Sequence, residues 1–99
     1  MPIDFRTVTV PIPSGTGRRV IDSSAVFNSR VQRATVVLNS FLLDFANDDH
    51  HINVIEASTS LGPSSANTVR FRVATRYADK NFDDLYSGAV VATVIAEVD

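Results

Sequence analysis

Two stretches of this chain are apolar on both faces when read with a period of two, and they limit the fold more than any other feature. From Ala34 to Phe45, Val36, Leu38 and Leu42 alternate with Val37, Phe41, Leu43 and Phe45. From Gly88 to Val98, Val90, Ala92, Val94, Ala96 and Val98 face one way, and Val91, Thr93 and Ile95 the other. Successive side chains of a strand point to opposite sides of its sheet. A strand with two apolar faces therefore lies centrally or is covered a second time by a neighbouring subunit. One domain of 99 residues has a thin core that needs little double-sided strand. The surplus predicts self-association.

The other periodic segments are single-sided. Thr68 to Tyr77 places Val69, Phe71, Val73, Thr75 and Tyr77 on one face and Arg70, Arg72, Ala74 and Arg76 on the other, a half-buried strand. Phe5–Val10 alternates with β-branched residues, and Pro11-Ile12-Pro13 is expected to stop it at a sheet edge or as the chain leaves the sheet. Ser14-Gly15-Thr16-Gly17 reads as a turn, followed by a short Val20-Ile21-Asp22 and a strand around Ala25-Val26-Phe27. Ile52–Thr59 is a further strand, ended by Leu61-Gly62-Pro63-Ser64-Ser65. No helical period occurs anywhere. The expected fold is all-β, an antiparallel β-sandwich of about six strands that forms oligomers, in a single domain over 1–99 with an N-terminal strand and Pro/Gly turn over 1–22.

Composition excludes several function classes. Nine Lys and Arg against eleven Asp and Glu give a net charge of −2, the wrong sign for a general nucleic-acid surface. With no cysteine there is no disulfide framework, thiol nucleophile or Cys-ligated zinc. The first residues, Met1-Pro2-Ile3-Asp4-Phe5, carry no basic or apolar leader pattern, and no apolar run approaches the ~20 residues of a membrane span. The expectation is a chain without membrane insertion, cytoplasmic or exported by a non-classical route.

In order along the chain, Val26-Phe27, Ala34-Thr35-Val36-Val37-Leu38-Asn39-Ser40-Phe41, Leu43-Asp44 and Ile52-Asn53-Val54-Ile55-Glu56-Ala57 are followed by Val69-Arg70-Phe71-Arg72-Val73, Tyr86 and Val94-Ile95-Ala96-Glu97. This succession over residues 23–99 resembles the H-type lectin domain, the module of snail agglutinins and of the discoidin carboxy-terminal domain. The resemblance implies a six-stranded antiparallel sandwich assembled as a trimer or a dimer of trimers. It also implies shallow sites for galactose- or N-acetylgalactosamine-type sugars between protomers, and no cofactor. The family's fourth-strand arginine falls where this chain has Asn53, which keeps a donor and an acceptor but loses charge and reach. The family's aromatic-plus-histidine pair falls at Arg76-Tyr77, and its last-strand tyrosine at Tyr86. Between them the segment Ala78–Leu85 is longer than the family's loop. The expected sugar contacts are Tyr77 and Tyr86 as stacking groups, with Asn53, Arg76 and Asp79 orienting hydroxyls. The alternative is a structural trimerisation or attachment domain that has lost sugar binding.

Other chemistry is weaker. Asp79-Lys80-Asn81-Phe82-Asp83-Asp84 spaces oxygen ligands like the start of a calcium loop, but has Asp84 in place of the sixth-position glycine and Val90 in place of the twelfth-position glutamate. It reads as a hairpin tip, a looser calcium site, or carboxylates for sugar hydroxyls. Asp44–His51 gathers acids with His50 and His51. Consecutive histidines on a strand face opposite ways, so zinc there would have to be shared across a symmetry axis. A polar turn, a ligand rim or a pH-sensitive subunit contact are the other readings. The Arg70, Arg72, Arg76 row reads as a solvated face or as ion pairs to Glu56; the negative net charge and the lack of interleaved lysines or aromatics disfavour phosphate or nucleic-acid binding there. No metal site and no catalytic constellation is assigned; the chain is read as a non-enzyme.

Overall fold

The computed structural model describes residues 2–45, 54–78 and 85–99. Six strands make up nearly all of them: β1 (Ile3–Gly15), β2 (Arg19–Val26), β3 (Val31–Phe45), β4 (Val54–Ser65), β5 (Thr68–Ala78) and β6 (Tyr86–Val98). They form two antiparallel three-stranded sheets, β1-β6-β3 and β2-β5-β4. The molecule measures 50 × 18 × 17 Å and its radius of gyration is 15.5 Å, against about 13 Å for a typical globule of 100 residues. Long strands in only two layers produce that shape, and each sheet keeps one face outside the sandwich.

The core lies between the central strands. β6 contributes Val90, Ala92, Val94 and Ala96, and β5 contributes Val69, Phe71, Val73 and Thr75, all buried together with Phe27. These are the alternating faces expected from the sequence. β6 is central, as one of the two options for a double-sided strand requires. β3 is not: it forms an edge of its sheet.

Two expected strand ends are corrected. β1 runs through Pro11 and Pro13 to Gly15, with Pro11 opposite Ala89 and Ile12 opposite Gly88. The two prolines share a phase on an edge strand, so their missing N–H groups fall on the side away from β6. The Pro13 carbonyl accordingly accepts from the Arg19 guanidinium (2.9 Å) and not from β6. β4 likewise continues to Ser65, absorbing Gly62 and Pro63 as a bulge opposite Arg70. The short segments about Val20 and Ala25 are one strand, β2.

Ala66 and Asn67 turn β4 into β5, and Ala66 has φ = 52°. That turn is latched to the β2–β3 connection: Phe27 N donates to Asn67 O, Val31 N to Ala66 O, and Asn67 Nδ2 to Phe27 O. A positive φ costs alanine about 1–2 kcal/mol, whereas glycine adopts it freely at a smaller cost in unfolded-state entropy of about 0.4–1 kcal/mol. Ala66→Gly is expected to raise the calorimetric melting temperature by roughly 4 °C. An unchanged or lower value would show that the alanine is unstrained.

Candidate functional site

The ends of β1, β3 and β5 (Gly15, Phe45 and Ala78) and the starts of β2, β4 and β6 (Arg19, Val54 and Tyr86) lie at one end of the sandwich. Arg76, Tyr77 and Tyr86 all lie at this end. Asn53 and Asp79, along with His50, His51 and the acidic segment 79–84, lie outside the described residues.

Tyr86 is corrected from a stacking group to a core residue. It is fully buried, and its hydroxyl lies 2.7 Å from the Gly17 carbonyl, 3.1 Å from the Thr75 carbonyl and 3.1 Å from Thr75 Oγ1. With one proton to give, it donates to a carbonyl, and Gly17 is the closer. The ring offers no face to a ligand, and the hydroxyl ties the β1–β2 turn to β5. The sequence contains a sign of this: Tyr86 shares its strand phase with Val90, Val94 and Val98, the inward residues of β6.

Tyr77 is half-buried. Phe45 stacks on it, with centroids 4.3 Å apart and planes at 19°, and Tyr86 meets it at 6.2 Å and 82°. Arg76 also is half-buried, on the opposite face of β5, and its buried Nε has no hydrogen-bond partner among the described residues. A ligand touching both must therefore lie across the end of the sheet. Opposite Arg76 stands Glu56, as expected. Its carboxylate is nevertheless held by Arg18, which donates from Nε (3.1 Å) and Nη2 (3.3 Å). The turn arginine outcompetes the cross-strand one because its guanidinium meets both oxygens at once. Nothing in the local sequence pattern reveals that pairing.

Among the described residues, the end offers the unpartnered Nε of Arg76, an aromatic surface and the Arg18–Glu56 pair, groups suited to hydrogen bonding and apolar contact. Among the described residues no cluster of His, Cys, Asp or Glu could hold a metal ion. No helix among them is long and apolar enough to cross a membrane, which says nothing of a β-barrel.

The lengthwise faces differ sharply. On the outer face of β1-β6-β3 the cross-strand rows run Ile3–Glu97–Arg33, Phe5–Ile95–Thr35, Thr7–Thr93–Val37, Thr9–Val91–Ser40 and Pro11–Ala89–Leu42. Phe5 is 64% exposed and Leu42 69%, though both stand on a sheet face rather than in a loop. The charges in these rows, Arg33 and Glu97, are paired to each other at 2.6 Å. A second apolar strip follows the seam between the sheets, where Leu38 and Phe41 of β3 and Ile55 and Leu61 of β4 belong to the inward rows yet remain substantially exposed.

These features define an all-β module of two antiparallel three-stranded sheets, with an apolar outer face and a polar-aromatic end. Compared with protein-family models, curated proteins and solved structures, the chain matches none of them.

Proposed function

We propose that this chain is a non-catalytic, lectin-like module that assembles as a trimer and recognises galactose-type sugars at the loop end, where protomers meet. The observation that carries the reading is the division of the molecule into a lengthwise apolar surface and one end bearing Arg76 and Tyr77. The apolar surface comes as two unlike patches, the outer face of β1-β6-β3 and the β3/β4 seam. A head-to-tail ring needs two different complementary patches, whereas a two-fold dimer needs one self-complementary patch. Three copies with their long axes aligned cover both patches and bring their loop ends together. There the Arg76 guanidinium donates to sugar hydroxyls, and Tyr77, backed by Phe45, supplies the apolar contact.

Burial of Tyr86 and the Phe45 ring over Tyr77 favour a second reading, an assembly module without sugar binding. A glycan array probed with the wild-type chain and with Tyr77→Ala separates the two, alongside sedimentation at micromolar concentration. Binding to galactose or N-acetylgalactosamine that falls about tenfold or more in the variant is expected. A trimer that binds no glycan establishes the assembly reading, and a folded monomer overturns both.

A further inference from the structure

We propose a second site, independent of the sugar reading: a groove on the outer face of β2-β5-β4 that binds a tetrahedral oxyanion, the sulfate or phosphate group of a monoester. The groove encloses about 370 Å³ and is lined by Asp22, Ser23, Gly62, Pro63, Arg70 and Arg72. It exists because β4 bulges. Gly62 and Pro63 stand opposite the single residue Arg70, so the edge strand bends away from the line of the sheet. A Cβ on Gly62 would come within 3.2 Å of the Arg70 carbonyl and 3.6 Å of its Cβ. A side chain at Gly62 would require Arg70 to give way by a few tenths of an ångström.

Arg70 and Arg72 project from the same face of β5, about 6.6 Å apart along the strand. Arg72 donates to Asp22 Oδ1 from Nε alone (2.8 Å), and Arg70 has no ion pair among the described residues. The groove thus holds two guanidinium groups against one carboxylate. A planar carboxylate ligand would satisfy one guanidinium fork. A tetrahedral ester presents three acceptor oxygens and reaches both. Asp22 acts as an internal competitor that holds Arg72 in place and keeps affinity modest.

The test is a 15N-resolved NMR titration of the whole chain with sodium sulfate, sodium phosphate and galactose 6-sulfate in turn, each against sodium chloride at matched ionic strength. Saturable shifts are expected at the amides of Asp22, Ser23, Gly62, Arg70 and Arg72. Arg70→Gln, an exposed change that leaves the fold intact, should weaken binding about tenfold. Asp22→Asn should tighten it roughly two- to fivefold by removing the competitor. Stronger binding of the sulfated sugar than of sulfate identifies an ester on a glycan as the ligand, and equal binding identifies the free anion; either outcome upholds the site. Equal shifts in sodium chloride, an unaffected Arg70→Gln, or weaker binding by Asp22→Asn overturns it. None of these outcomes depends on the loop end, so failure here leaves the sugar reading standing.

Discussion

A chain carrying Phe5→Asp together with Leu42→Asp is expected to sediment as a single 10.8 kDa molecule at concentrations where the wild type, as the proposed trimer, is expected to sediment at three times that mass. Phe5 and Leu42 sit on the two edge strands of the same outer face, 64% and 69% exposed, so the monomer's own core is untouched. In the assembly each loses an apolar burial of about 1.5–3 kcal/mol. Each also gains a carboxylate that must be desolvated without a partner, at a cost of several kcal/mol. The sum exceeds about 4 kcal/mol per interface, which corresponds to roughly a thousandfold weaker association. Val26→Asp is the matched control: Val26 is 58% exposed but belongs to the other sheet, and its loss should leave sedimentation unchanged. A double variant that still sediments with the wild type would place the interface elsewhere or nowhere.

This expectation grows from a feature already present in the sequence, the two-sided apolar pattern of residues 34–45 and 88–98. The structure divides its two explanations between the two strands. β6 is two-sided and central in its sheet, flanked by β1 and β3. β3 is two-sided and an edge, so Val37 and Leu42 on its outer side and Leu38 and Phe41 on its inner side meet water in the single chain. Periodicity fixes which residues share a face but cannot rank strands within a sheet, since that order is a long-range property.

The misplaced strand ends have a common cause. Pro11, Pro13 and Pro63 read as terminators because proline removes a ladder donor, but β1 and β4 are both edge strands, where half the donors point outward anyway. The candidate site was legible only in part. Residues 76, 77 and 86 do gather at one end, yet strand phase should have placed Tyr86 inside. The Arg18–Glu56 pair joins a turn to a strand 38 residues away, so no local pattern could have shown it.

The second large effect comes from the point where the two-sided strands begin. Gly88 sits near the start of β6, between Ile12 of β1 and Leu43 of β3, and a Cβ built on it would lie 1.8 Å from the Leu42 carbonyl oxygen and 2.8 Å from its carbonyl carbon. Both are backbone atoms of a paired strand, so no rotamer change relieves the clash; β3 has to move away from β6. Glycine in a strand often marks such close backbone approach. Displacing β3 here would break the pairing of Leu42 and Leu43 and carry Phe45 off Tyr77, two residues further on. Overpacking typically costs 1–3 kcal/mol and more where the neighbours cannot yield. We therefore expect Gly88→Ala to destabilise by about 3 kcal/mol or more, a large part of the 5–15 kcal/mol that holds a domain folded. In calorimetry this is a fall in melting temperature of roughly 12 °C or greater. Ser87→Ala, one position earlier on the exposed side of the same strand, should change it by no more than about 2 °C. Equal melting temperatures for the two variants would mean that β3 and β6 do not approach this closely at Gly88.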